Sequence, residues 1–232
     1  MAWSMTTQTG DIKQLATLVE VSQTLASTLN LEAALHRVLE ILESHHTMVP
    51  SMVTLLHEPS SELAVAVANG LPAGGMQARY NVGEGITGRV VESGKPIIVP
   101  QISHEPMFLN RAGRRRNLQT QERTFICVPV NINRRPVGAL GVDLRFRKGR
   151  DYDRELNFLH VVASMIAQAI NIHHLVEAER QRLRDENQHL REELRERYDF
   201  ANIIGNSSRM RQVYEQITQV ASTNTTVLIR GE

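Results

Sequence analysis

Between Asp11 and Leu29 the apolar residues Ile12, Leu15, Leu18, Val19, Val21 and Leu25 recur near the spacing of one helix face. Asn30 interrupts the run, and Leu31, Leu35, Val38, Leu39 and Leu42 then predict a second helix over 31–46. Helices joined so closely imply a helical layer, or one helix set against a partner subunit. The period then shortens. SMVTLLHE (51–58) and ELAVAVANG (62–70) flank Pro59-Ser60-Ser61 in a hairpin pattern, and ARYNV (78–82) predicts a third strand. GEGITGRVVESGKP (83–96) reads as a glycine turn and a short helix stopped at Gly94, followed by the short buried strand IIVP (97–100). Residues 101–122 read as a long polar loop. TFICVPVNI and PVGALGVDLRF predict two further strands joined through Asn133-Arg134-Arg135. Six strands between helices predict an α+β fold with a largely antiparallel sheet flanked by helices.

Helical spacing returns over 151–176, where Phe158, Leu159, Val161, Val162, Met165, Ile166, Ala169 and Ile170 form a broad apolar face. From 176 to 194 that face narrows to a heptad seam through Val176, Leu183, Leu190 and Leu194, with Asn187 on it and charges around it. A two-in-seven seam keeps one stripe facing a partner helix, and Asn187 at an a position favours a parallel, in-register dimer. The same composition, with Arg180 in the seam, also suits a solvated linker helix. Beyond it, Ser207 or Ser208 can cap a helix whose apolar face is Met210, Val213, Ile217 and Val220, and TTVLIR predicts a buried strand.

Composition narrows the function classes. The chain has 26 basic and 25 acidic residues, so its bulk charge advertises neither nucleic-acid nor membrane binding. Cys127 is the single cysteine, which excludes an internal disulfide and cysteine-rich metal sites within the chain. No uninterrupted apolar run approaches the roughly 20 residues of a membrane helix, and MAWSMTTQTG lacks the regions of a signal peptide, so the expected location is the cytoplasm, without a membrane partner.

Three segments carry a family resemblance. YNVGEGITGRVVESGKPIIV (80–99) resembles the signature of GAF domains, and TFICVPV with PVGALGVDL resembles that fold's central hairpin. IIGNSSRMRQVYEQITQVASTNTTVLIRGE (203–232) is similar to the opening of the AAA+ domain of sigma-54-dependent activators. Together they resemble the NifA group, activators of nitrogen-fixation genes. The resemblance implies an N-terminal helix (1–30) available for dimer contact, a GAF sensor (31–172), a signalling helix (173–200) and a truncated AAA+ start (201–232). Gly231 would be the first glycine of a Walker A loop whose Lys and Ser/Thr lie beyond Glu232. ATP with Mg, DNA and sigma-54 polymerase would then concern only a longer parent protein, and no enzyme activity or cofactor is expected here.

The candidate sites are few. Gly83, Gly85 and Gly88 match G-x-G-x-x-G, but without a parallel βαβ unit or an acid about 20 residues on, they are read as turn and packing positions. Loop 101–122 holds Arg111, Arg114, Arg115 and Arg116, with Arg123 just after it. Guanidinium forks suit carboxylates. In GAF domains this loop often lies over the ligand pocket, so Arg114, Arg115, Arg116 and His104 are candidate ligand contacts, and the NifA resemblance implies 2-oxoglutarate as an effector. A solvated basic loop, or one touching an acidic partner, is the competing reading. His45-His46 and His173-His174 are helix neighbours pointing apart, so no metal site is expected. Cys127 reads as a core residue. The expected function is a dimeric sensor controlling a downstream ATPase. The alternatives are a ligand-free docking module for an antiactivator or nitrogen-signalling protein, and a GAF-related cyclic-nucleotide-binding module or hydrolase.

Overall fold

In the computed structural model two helices open the chain, α1 (Ala2–Ser27) and α2 (Leu31–His46). The structure describes all residues except Met1, Leu29, 58–59, Ala73, Asn110, 112–121, 199–204, Asn206, Ser222 and Glu232; residues 2–10 and 194–198 are described by backbone alone. The start of α2 has a direct cause: the Asn30 side chain accepts a hydrogen bond from the Ala33 N–H, satisfying a donor that the first turn leaves open. Its end is a left-handed Thr47 (φ 53°), whose N–H reaches the Glu43 carbonyl at 2.8 Å while Met48 N–H reaches Leu42.

The sheet follows as β1 (Ser51–His57), β2 (Glu62–Asn69), β3 (Arg79–Asn81), β4 (Ile97–Val99), β5 (Arg123–Ile132) and β6 (Arg135–Arg145), with α3 (Gly85–Ser93) between β3 and β4. All pairings are antiparallel, in the order β3-β2-β1-β6-β5-β4. The β5–β6 connection is tighter than the sequence suggests. Ile132 pairs with Arg135, leaving a two-residue turn with Asn133 and Arg134 both at positive φ.

Both faces of the sheet are buried, which explains the nearly continuous apolar runs in β5 and β6. Toward α1, α2 and α4 (Asp153–Tyr198), β5 and β6 send Ile126, Val128, Leu140 and Val142 against Leu35, Leu39, Phe158, Val162 and Ile166. Toward α3, Phe125 and Cys127 of β5 pack with Met52, Tyr80, Val90, Ile102 and Phe108. Part of Asp153–Glu193 reaches a mean hydropathy of 1.3, enough by length and composition for a membrane helix. Leu159, Val162, Ile166 and Ile170 within it are buried in the domain core while Val161, Ile172 and Leu175 are exposed, the pattern of a helix with one face in the core.

Three expectations need correction. Residues 101–122 are not polar throughout, since the described first half forms a short 3-10 turn (Ile102–His104) and buries Ile102 and Phe108. TTVLIR forms no strand: among the described residues it has no pairing, and Val227, Leu228 and Ile229 are exposed. A strand's apolar run is not enough where no neighbouring strand supplies a ladder. Helix α5 (Ser208–Ala221), whose Met210 N–H is capped by the Ser207 hydroxyl, turns Tyr214 inward rather than Val213, and the phenol donates to the Gly205 carbonyl at 3.0 Å. The chain divides into two units, 1–175 and 176–232.

Candidate functional site

The glycine segment closes the α3 side of the sheet. Gly83 and Gly85 adopt φ of 83° and 62°, which side-chain-bearing residues rarely take, and the Gly83 N–H donates to the Gly88 carbonyl at 2.9 Å. A Cβ on Gly88 would stand 2.2 Å from the Asn81 carbonyl oxygen, so backbone meets backbone there. With β3 and β4 on opposite edges of an antiparallel sheet, the segment lacks the parallel unit a dinucleotide needs. It is a packing device.

That device is locked by a pair the sequence does not single out. Glu84 accepts from the Asn81 N–H (3.0 Å) and side-chain amide (3.1 Å), and from both terminal nitrogens of Arg111. The Asn81 N–H first, and Arg111 next, hold the Glu84 carboxyl below its ordinary range, against a smaller opposing effect of burial. Arg111 also donates to the Arg79 carbonyl at 2.7 Å and lies 5.9 Å over the Tyr80 ring. Leu109 rests on Gly85, where an added Cβ would meet it at 3.0 Å. The described part of the loop is thus latched over α3.

Of the predicted ligand residues, His104 is exposed on the 3-10 turn, beside the Ser103 hydroxyl. Arg114, Arg115 and Arg116 lie outside the described residues. Ser103 donates through hydroxyl (2.6 Å) and N–H (3.2 Å) to Glu122 across the loop. Partial burial alone would raise the Glu122 carboxyl, but the Ser103 donors and the Arg123 N–H together hold it below the usual range. Beneath the loop, Phe108 and Phe125 meet edge to face with centroids 5.3 Å apart. These rings occupy the ground between sheet and loop, and Gly141 makes room for Phe125, since a Cβ there would stand 2.9 Å from the ring.

On the opposite side of the sheet the histidine pair has a structural task. The buried Thr17 hydroxyl donates to the Lys13 carbonyl and so accepts from the His45 and His46 rings, at 2.9 and 3.0 Å. This ties α1 to α2. Burial, aided by Lys13 and His45 and opposed by Glu155, lowers the His46 pKa from 6.5 to about 4. The unfolded chain therefore takes up this proton first as pH falls, so stability is full above pH 6.5 and declines toward about pH 4. With His46 partly solvated, the expected loss is on the order of 1–2 kcal/mol. Urea titrations at pH ~7.5 and ~5 check it, and His46→Gln should flatten the difference. The His173 and His174 ring centroids lie 6.4 Å apart, and among the described residues no His, Cys, Asp and Glu cluster that could hold a metal ion is found. Cys127 is buried in the sheet.

The last feature is α4. Its seam residues Leu183 and Leu190 are 52% and 50% exposed, Val176 is half-buried, Asn187 is exposed, and the Leu194 side chain lies outside the description. In the first unit, Val161, Ile172 and Leu175 of α4 and Ile12, Leu15 and Val19 of α1 are also exposed. With Leu183 and Leu190 at d and Asn187 at a, Glu179 and Glu186 fall at g while Arg184 and Arg191 fall at e. In a parallel dimer each g residue faces the next e residue of the other helix, so Glu179 would face Arg184 and Glu186 would face Arg191, both pairs of opposite charge. Reading the flanks as well as the seam would have found this signal in the sequence. Gly231 is exposed, with nothing near its Cα on the side a Cβ would occupy.

Comparison with known proteins accords with this architecture. Over 224 residues the chain is 36% identical to a Nif-specific regulatory protein of Herbaspirillum seropedicae, covering 94% of this chain and 41% of that protein. It is 37% identical over 220 residues to the nitrogen fixation protein VnfA of Azotobacter vinelandii, covering 94% and 42%. The chain thus spans about two fifths of the length of these curated relatives. Among solved structures, the nlh2 GAF domain of A. aeolicus in an inactive state superposes with a TM-score of 0.64 at 22% identity, over 70% of this chain and 98% of that one. A free methionine-R-sulfoxide reductase from Neisseria meningitidis gives 0.60 at 18%, over 70% and 91%, a likeness of fold alone. The family model for the GAF domain matches residues 28–171, more than half of the chain; the chain belongs to the GAF domain family.

Proposed function

We propose that this chain is the sensor region of a sigma-54-dependent activator of nitrogen-fixation genes, working in the cytoplasm as a homodimer whose paired α4 helices carry the state of the GAF domain to the segments that follow. One observation carries the reading: α4 packs its opening turns into the sheet and continues to Tyr198 with an exposed leucine seam flanked by self-complementary charges. In a protein of the relatives' length, ATP with Mg, sigma-54 polymerase and DNA would be engaged by those later segments. An effector transmits a signal only if it binds two arrangements of the helices with different affinity.

The effector we favour is a small dicarboxylate, 2-oxoglutarate first, held at the 101–122 loop by one of Arg114, Arg115 or Arg116. The latch of Arg111 on Glu84, which brings the described part of this loop onto α3, supports that placement. Calorimetry tests it. Wild type should bind 2-oxoglutarate, and alanine at one of the three positions should cost roughly 1.5–3 kcal/mol, as loss of a charged hydrogen bond does. No binding at millimolar 2-oxoglutarate, or three variants that bind like wild type, would overturn it. The Phe108–Phe125 packing favours a second reading, in which the filled loop face is a docking surface for an antiactivator or nitrogen-signalling protein. A complex with such a partner, formed without 2-oxoglutarate, would select that reading.

A further inference from the structure

A crevice of about 760 Å³ opens between α1, the end of α2, the start of β5 with Glu122 before it, the end of β6 and the first turn of α4. Its cationic side chains are Lys13, Arg123, Arg145, Arg147, Arg150 and Arg154, against the carboxylates of Glu43, Glu122 and Glu155. The chain as a whole balances 26 basic against 25 acidic residues, so this excess is local. Internal pairing does not absorb it. Arg150 pairs with Glu155, Arg154 with Asp11, and Arg123 donates to the Val49 carbonyl. Glu43 accepts from Asn69, and Glu122 from Ser103. Lys13, Arg145 and Arg147 have no acidic partner among the described residues. Arg123 and Arg145 are moreover direct cross-strand neighbours, an arrangement of like charges that destabilises an antiparallel pair unless something offsets it.

We propose that this crevice binds a small phosphorylated metabolite, a sugar phosphate or a nucleotide. A phosphoryl group brings about −1.5 to −2 charge and three acceptor oxygens to one point, a closer match to several converging cations than one carboxylate. The volume lies in the range of small-molecule sites. The second oxygen of Glu155, on the crevice wall, is buried and has no hydrogen-bond partner among the described residues, so its accepting capacity is unused until a side-chain shift exposes it. A ligand hydroxyl or amine meets that need, which a bare phosphate ion at neutral pH does less well. Because the walls come from α1 and from the first turn of α4, an occupant braces these two helices together.

The test is calorimetry on the 232-residue chain at near-physiological salt, with ADP and ribose 5-phosphate as probes and citrate as the carboxylate comparison. At least one phosphorylated probe should bind saturably, in the micromolar range. The double variant Arg145→Ala/Arg147→Ala should weaken it about tenfold or more, which corresponds to about 1.4 kcal/mol. Lys148→Ala, on the neighbouring exposed turn, should leave it unchanged. An unaltered thermal melt of the double variant shows that the fold persists. Three results would each overturn the proposal: neither probe saturating below ~5 mM, citrate binding as tightly, or the double variant matching wild type. The 2-oxoglutarate titration, repeated on the double variant, keeps its own outcome, so failure of one site is distinguishable from failure of the other.

Discussion

Replacing Leu183 and Leu190 together by Asp is expected to convert the proposed dimer to monomer. Each leucine is about half exposed on the single helix, at 52% and 50%, so pairing removes roughly the other half from water. That contributes roughly 0.7–1.5 kcal/mol per side chain, or ~3–6 kcal/mol for the four leucines of a dimer. The dissociation constant should rise by roughly two to four decades, before the repulsion of four carboxylates along one seam is added. Sedimentation equilibrium against wild type reads this directly. A double variant that keeps the wild-type mass at micromolar concentration would mean that α1 and the start of α4, not the seam, hold the copies together.

Phe125→Ala should be among the most destabilising single changes in the domain. The ring is fully buried, meets Phe108 edge to face, and fills the space that Gly141 leaves open. Deleting it removes the transfer free energy of the ring and leaves a cavity, together about 3–5 kcal/mol. Denaturant unfolding followed by circular dichroism gives the value. A loss below about 1 kcal/mol would mean that the face beneath the loop tolerates an empty space, as a ligand pocket does, and would favour the metabolite reading over the docking one.

How much of this was legible beforehand depends on how local each cause is. Asn30 announces α2 because its side chain caps the helix it precedes, and Gly94 ends α3 by taking a left-handed φ of 65°. The strands of the sheet could be read because both faces are apolar, and the leucine seam because its period is its geometry. TTVLIR resembles a strand without forming one for the converse reason, since its apolar run says nothing about whether a partner strand is present. Ile102 and Phe108 sit among polar neighbours, and only the position of the loop over α3 buries them. The Glu84–Arg111 latch joins residues 27 apart. The crevice is less legible still, for Lys13, Arg123, Arg145 and Arg147 meet only when a helix is laid across the ends of two strands. Three of the four predicted loop residues, Arg114, Arg115 and Arg116, fall outside the described structure, so their part rests on the titrations above.

If paired α4 helices report the state of the GAF domain, the distance between spin labels placed at Arg184, one on each copy, must respond to that state; the labels go into a chain whose buried Cys127 is replaced by Ala. A parallel, in-register pair sets equivalent residues opposite each other, so one short, narrow interchain distance is expected, and it should shift when 2-oxoglutarate is added. The absence of interchain coupling, or a distance that no effector or partner protein moves, would contradict that role of α4.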